Sequence, residues 1–206
     1  MYMRLSEFAD LAKKLPVVSL TDIRNIMPGL RQETLSRWNQ NGKIIMLASG
    51  FYVLPDKTTD ETDLFAIAGR MYTPSFVSLE SALSFHGLIP ETVLTVTSVC
   101  TRKTRRISSP LCTFIYRSIK PQYFFGYEAK TGRNHRYLMA SPERAVVDLL
   151  YFRRDINSAE DMLELRFDTE VFNALDPMEF LNQAERFNKP WLIGKVNELL
   201  EVMKNA

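Results

Sequence analysis

Residues 31–54, RQETLSRWNQNGKIIMLASGFYVL, decide how the fold of this chain is interpreted. In the first ten residues of this stretch, Leu35 and Trp38 stand three positions apart, as they would on one face of a helix. Asn41 and Gly42 follow, and both tolerate the positive φ with which many helices end. The stretch therefore begins with a predicted helix over about residues 31–40.

The rest of the stretch predicts a hairpin. Apolar segments 43–47 and 51–54 flank Ser49-Gly50, a pair typical of a tight turn between two strands. Upstream, apolar residues at helical spacing predict one helix over 4–15, and a polar cap begins a short second one. Three short helices and then a hairpin is the order of a winged helix-turn-helix. We therefore expect such a DNA-binding domain over residues 1–55.

In that fold the third helix lies in the major groove and its outward face contacts the bases. Arginine and glutamine side chains can present paired hydrogen-bonding groups to base edges, whereas serine and lysine suit phosphates. The candidate DNA-binding residues are Gln32, Ser36, Arg37, Gln40 and Lys43, with Arg31 ranked below them because it lies four residues before inward-facing Leu35. Beyond Lys43 the predicted wing has no basic residue, so a protein-binding module of the same shape stays open as an alternative.

Composition is that of an ordinary globular protein. Of 206 residues, 46% are hydrophobic and 24% charged, and no apolar run approaches the roughly 20 residues that a membrane-spanning helix needs. The N-terminal residues lack the pattern of a secretory signal, and two cysteines make no disulfide framework. We expect a cytoplasmic protein without a membrane partner.

Charge is unevenly distributed along the chain. Net charges are +3 for residues 1–55, −4 for 56–99, +8 for 100–137 and −5 for 138–206. The most basic part contains four cations within five residues, at a predicted hairpin tip: Arg102, Lys103, Arg105 and Arg106. Three interpretations remain open, namely a solvated sheet edge, an additional DNA contact, and a contact with a toxin or RNA.

The pattern of predicted elements changes after residue 55. Polar, turn-forming residues 55–60 predict a linker, after which a second domain extends over 61–206. Helices are predicted after the linker and from Ser75 or Ser78, and again from Ser141 to the C-terminus. Between them, strands are predicted at residues 92–101, 111–119, 122–127 and 136–139. The order predicts an α+β domain with a mainly antiparallel sheet and a helical C-terminus.

Motifs of catalysis are absent from the sequence. There is no GxSxG, P-loop or GxGxxG, and the histidines are limited to His86 and His135. An enzyme would need Glu80, Glu143 and Asp148 to converge in a cleft. We expect no enzymatic activity, no metal and no cofactor.

Four strings in the C-terminal part resemble one known family. FVSLESALSFHGLIPE at 76–91, TRKTR at 101–105, FFGY at 124–127 and ASPERA at 140–145 resemble, in this order and spacing, the AbiEi-type antitoxins. The resemblance covers roughly residues 4–155. It implies an N-terminal winged helix that represses its own operon at inverted repeats.

The same resemblance implies a second role for the larger domain. There it implies an antitoxin domain that neutralises a cognate toxin, a nucleotidyltransferase-like AbiEii protein that acts in phage defence by abortive infection. A stand-alone transcriptional regulator without a toxin remains the alternative.

Overall fold

The computed structural model describes residues 2–55, 60–90 and 95–206, with side chains from residue 5 onward. Most of the predicted linker at 55–60, and the beginning of the strand predicted at 92–101, lie outside the described residues. Helices and strands both contribute substantially, and the chain has the expected α+β character.

Residues 2–55, here called the N-terminal segment, contain three helices and a small sheet. The elements are α1 (Tyr2–Lys14), β1 (Val18–Ser19), α2 (Leu20–Ile26), α3 (Gln32–Gln40), β2 (Ile45–Ala48) and β3 (Phe51–Val53). The three strands pair antiparallel in the order β1-β3-β2. Strand β1 was not predicted, because two residues are too few to show an alternating pattern. Phe8 and Trp38 meet edge to face, with ring centroids 6.2 Å apart, in the core of this segment.

Residues 60–206, here called the C-terminal segment, hold a six-stranded sheet and seven helices among the residues described. The elements up to the end of the sheet are α4 (Glu61–Met71), β4 (Ser75–Val77), α5 (Leu79–Phe85), β5 (Thr95–Cys100), β6 (Arg105–Ser108), β7 (Thr113–Ser118), β8 (Tyr127–Thr131) and β9 (Arg136–Ala140). The helices that follow are α6 (Pro142–Phe152), α7 (Ala159–Leu163), α8 (Thr169–Asn173), α9 (Pro177–Glu185) and α10 (Pro190–Lys204).

The sheet is mixed. Its order is β6-β7-β5-β4-β9-β8. Three of its five pairings are antiparallel, whereas β5 with β7 and β4 with β9 are parallel. The prediction of a mainly antiparallel sheet therefore describes three of the pairings and misses the two parallel ones. The parallel β5–β7 pair arises because β7 inserts between β5 and β6, which are consecutive in the chain, whereas the parallel β4–β9 pair joins strands that lie far apart in the chain.

Two local predictions need correction. Of the two helix starts considered, Ser78 is the N-cap of α5, whereas residues 75–77 form the buried strand β4. The strand predicted at 122–127 is instead a 3-10 turn at Pro121–Tyr123, since proline favours the first position of such a turn. The neighbouring strand begins only at Tyr127, after Gly126 has turned the chain with a φ of 71°.

The two faces of the sheet are covered by different helices. On β7 the hydroxyl of Tyr116 donates to the carbonyl oxygen of Ala68 in α4, at 2.9 Å. On β5 the hydroxyl of Thr97 accepts from the backbone N–H of Ser81 in α5, at 3.1 Å. Because neighbouring residues of a strand point to opposite faces, α4 lies on one face, and α5, with α6 packed beside it, on the other.

The two segments are joined by direct contacts. Arg70, on α4, donates from Nη2 to both carboxylate oxygens of Asp22, at 2.8 and 2.9 Å, and from Nε to the carbonyl of Val17, at 3.0 Å. Leu47 and Val53 are buried in the same core as the C-terminal segment, and Val17 joins them there. The N-terminal segment therefore packs against the C-terminal segment on the face of the sheet that α4 covers.

Candidate nucleic-acid interface

Helix α3 is positioned by two inward side chains. Leu35 and Trp38 are 1% and 3% exposed, so the opposite side of this short helix faces solvent. Burial of these two apolar side chains fixes the rotation of α3 about its axis. The six residues proposed from sequence are all exposed: Arg31, Gln32, Ser36, Arg37, Gln40 and Lys43. All six therefore lie at the solvent-accessible surface, on α3 itself or close to one of its ends.

A side-chain bond ties this surface to the hairpin. The amide oxygen of Asn39, near the end of α3, accepts from the backbone N–H of Met46 in β2, at 2.8 Å. The bond gives a partner to a backbone donor of an edge strand and fixes α3 beside the hairpin. Asn39 was not singled out from sequence, because its role depends on a strand seven residues away.

Helix α2, which precedes α3, has a strong N-terminal cap. The hydroxyl of Ser19 accepts from the N–H of Asp22, and the Asp22 carboxylate accepts from the N–H of Ser19. Burial opposes ionisation of Asp22, but the bonds from Ser19 and Arg70 outweigh it and lower the pKa of this carboxyl. One carboxylate therefore both caps α2 and binds the C-terminal segment.

The basic residues at 102–106 are exposed, but not at a hairpin tip. Residues 101–104 connect β5 to β6, and Arg105 and Arg106 are the first two residues of β6, the edge strand of the large sheet. Strand β6 was missed because charged residues mask its alternation. Arg102 and Lys103 lie in the connection itself, which passes the end of β7.

This connection is held in place by Tyr72, directly after α4. The Tyr72 hydroxyl donates to the carbonyl oxygen of Lys103, at 2.8 Å. The guanidinium carbons of Arg102 and Arg105 lie 4.5 and 5.7 Å from the centre of its ring, within the range of cation–π attraction. Thr104 also accepts, through its hydroxyl, from the N–H of Ser118, at 3.1 Å. Both arginines are therefore held on the α4 side of the sheet.

The register of β6 separates its two arginines. Arg105 pairs with Tyr116 and Arg106 with Ile115 in an antiparallel ladder. Directly paired residues share a face, so Arg105 lies on the α4 face with Tyr116, and Arg106 on the opposite face. Arg117, two residues after Ile115, shares that opposite face. The four cations that looked like one cluster in sequence thus divide between two sides of the sheet.

A buried ion pair occupies the C-terminal core. Arg144 and Asp148 are both fully buried, and Nη2 of Arg144 lies 2.8 Å from Oδ1 of Asp148. Ser78 donates to Asp148 at 2.7 Å, and Arg144 also donates to the carbonyl of Tyr123 at 2.8 Å. Burial raises the pKa of Asp148, an effect that Arg144 and Ser78 oppose. Asp148 therefore belongs to a buried ion pair.

The carboxylates that an enzyme would require are not brought to one cleft. A cleft of about 360 Å³ lies between α5, α6 and the adjoining face of β5 and β7. Glu80 lines it together with Arg117 and Arg153, but neither Glu143 nor Asp148 does. Among the described residues there is also no group of three or more metal-binding side chains.

The cysteines and histidines have ordinary surroundings. Cys100 and Cys112 are free thiols, and burial raises the pKa of Cys112 to about 11. His86 contacts the carbonyl oxygen of Ala140 through Nε2, at 3.0 Å, and burial lowers its pKa. No helix within residues 2–55, 60–90 and 95–206 combines the length and apolar character that crossing a bilayer requires.

Comparisons with known proteins bear on the fold. No family model matches the chain, and no curated protein sequence matches it significantly. A crystal structure of the Rv2827c protein from Mycobacterium tuberculosis is similar, with a TM-score of 0.59 and 12% sequence identity. The match covers 98% of this chain and 77% of that chain. At this identity, the likeness shows that the two chains share a fold.

Proposed function

We propose that this protein is a cytoplasmic DNA-binding transcriptional repressor whose N-terminal segment acts as a winged helix-turn-helix. In this proposal α2 and α3 form the helix-turn-helix, β2 and β3 form the wing, and α3 enters the major groove. The observation that carries it is the exposed polar face of α3, which presents Gln32, Ser36, Arg37 and Gln40 on the side opposite its buried residues. Such side chains match the donors and acceptors of base edges.

Two further observations support DNA over a protein partner. The exposed face of α3 carries no large apolar side chain, whereas the centre of a protein interface is rich in aromatic and apolar residues. Ser19 and Asp22 cap α2, and the Asn39–Met46 bond holds α3 against the hairpin. A rigid polar helix is suited to reading a groove.

A quantitative gel shift tests this proposal. The purified full-length chain is titrated against the duplex immediately upstream of its own gene, and against a duplex of the same composition with shuffled sequence. We expect binding to the upstream duplex at least about a thousandfold tighter, the lower end of specific recognition. Equal affinity for the two duplexes would remove sequence-specific repression from the proposal.

We also propose that the protein is an antitoxin of the AbiEi type, without enzymatic activity. The support is the resemblance of residues 76–91, 101–105, 124–127 and 140–145 to that family. A stand-alone repressor is the second candidate. The test is co-expression with the protein encoded by the adjacent gene, scored by growth. Growth arrest by that protein alone, relieved by this chain, supports the antitoxin role, whereas no arrest, or no relief, favours the stand-alone repressor.

A further inference from the structure

The hairpin of the N-terminal segment is short of positive charge, and this is unusual for a DNA-binding wing. Between Ile44 and Leu54 it carries no lysine or arginine, so phosphates beside it would meet no cation from the hairpin itself. Phosphate contacts supply much of the affinity of DNA-binding proteins. The structure offers a source for this charge in the other segment.

Strand β6 of the C-terminal segment lies beside β2 of the hairpin. Both are edge strands of their own sheets. The Arg70–Asp22 ion pair and the Arg70–Val17 bond hold the two segments in this arrangement. The polar surface of α3 reaches the same place, because Asn39 is bonded to Met46 of β2. Helix α3 is therefore bonded to β2, and β2 in turn neighbours β6.

Two cations of the basic segment lie on the face of the large sheet that α4 covers. The N-terminal segment packs on that face through Arg70 of α4, and Arg102 and Arg105 lie on it against Tyr72. Arg106 lies on the other face, as its register with Ile115 requires. Arg102 and Arg105 therefore share a face of the sheet with the N-terminal segment, and Arg106 does not.

We propose that Arg102 and Arg105 contact backbone phosphates of the DNA duplex that α3 binds, so that the C-terminal segment supplies the positive charge missing from the wing. This inference rests on the proposed DNA binding of α3 and extends it to a second element. Tyr72 orders both guanidinium groups before DNA arrives, which reduces the entropy lost when they bind. Arg106 is not part of this contact.

The salt dependence of DNA binding tests the inference, because each phosphate contact adds a slope of about −0.9 to the logarithm of affinity against the logarithm of salt concentration. The test variant is the full chain with Arg102→Gln and Arg105→Gln. The matched control, Arg106→Gln with Arg117→Gln, removes the same charge from the opposite face of the sheet. Glutamine keeps most of the length of each side chain and removes its charge.

We expect the slope to become shallower by about 1.8 in the test variant and to stay at the wild-type value in the control. Equal changes in the two variants would assign the effect to net charge and overturn the proposal. A wild-type slope in the test variant would overturn it as well. If that variant then fails to neutralise the adjacent gene product, the surface binds protein instead.

These outcomes are distinct from a failure of the proposed function. A wild-type chain that does not distinguish its upstream duplex from a shuffled one contradicts sequence-specific repression by α3. A wild-type chain that does distinguish them, with an unchanged slope in the test variant, contradicts only the contribution of the C-terminal segment. Far-ultraviolet circular dichroism and thermal unfolding of each variant show whether it has kept its fold.

Discussion

In the proposed DNA complex, Arg37 is the residue on which sequence reading by α3 would most depend. Its guanidinium can donate two parallel hydrogen bonds to a guanine, the commonest specific contact in the major groove. We expect Arg37→Ala to weaken binding to the upstream duplex by about 1–3 kcal/mol and to relax the preference at one base-pair position. Competition binding against single-base variants of the site measures both effects.

A lysine far from α3 provides the control for Arg37. Lys204 is exposed at the end of α10 and carries the same charge. Lys204→Ala should leave base preferences unchanged. If Arg37→Ala reduces affinity equally for every sequence, Arg37 contacts a phosphate and does not read a base.

Substitution of Asp148 tests the fold at the scale of a single residue. Asp148→Ala leaves the fully buried Arg144 without its counter-ion, which we expect to lower the free energy of unfolding by about 3–5 kcal/mol. Urea denaturation measures this loss. The control is Asp155→Ala, which breaks an exposed pair with Arg153 and should leave the free energy of unfolding almost unchanged, because solvent screens that pair.

A double replacement separates the ion pair from simple packing. Arg144→Met with Asp148→Leu removes both buried charges and keeps apolar volume, so we expect it to recover most of the stability lost by Asp148→Ala. Equal losses for Asp148→Ala and Asp155→Ala would show that the buried pair is not a special source of stability.

At the scale of elements, the joint between α2 and α4 depends on the charge of Asp22. Because the pKa of Asp22 is lowered in the folded chain, its ionised form stabilises that state at neutral pH. This contribution is present above the ordinary value of 3.8 and is lost as the pH falls through the lower, folded pKa. Asp22→Asn should therefore unfold at a lower temperature than wild type at pH 7.

The pH dependence distinguishes this joint from a neutral hydrogen bond. We expect the difference in melting temperature between wild type and Asp22→Asn to shrink as the pH is lowered below the ordinary pKa of Asp22. Calorimetry across that range measures it. The control Asp10→Asn removes an exposed partner of Lys13. A difference that does not change with pH would contradict a role for the ionised carboxylate.

Elements with strong local signals could be predicted from sequence. Helix α3 was expected at 31–40 and spans Gln32–Gln40, because Leu35 and Trp38 set its period and Asn41-Gly42 its end. Helix α6 was predicted from Ser141-Pro142, because a capping residue followed by proline is a local signal for the start of a helix. These signals depend on neighbours within a few residues.

Elements that depend on distant partners were not predicted. Strand β4 has three fully buried residues, so it shows no alternation between a buried and an exposed face. Arg105 and Arg106 lie on opposite faces of the sheet because of the register of β6 with β7. The sequence alone does not specify this register, since β7 inserts between β5 and β6. For the same reason, the Arg70–Asp22 contact between segments had no local signal.

At the scale of the molecule, the two segments pack together and share part of one core. Their predicted separation by a linker suggested independent roles for residues 1–55 and 61–206. In the structure Val17, Leu47 and Val53 are buried in the core of the C-terminal segment, so removing residues 1–55 would expose that core. Separate roles are therefore better tested by substitution on α3 in the full chain than by truncation.

The proposed function requires α3 to bind in the major groove, where guanine N7 lies. Methylation interference with dimethyl sulfate on the upstream duplex probes this contact, with the full chain and its Arg37→Ala variant. We expect N7 methylation to block wild-type binding at guanines within two inverted half-sites, and Arg37→Ala to lose one such position in each. Binding that is indifferent to methylation at every guanine would contradict the proposed function.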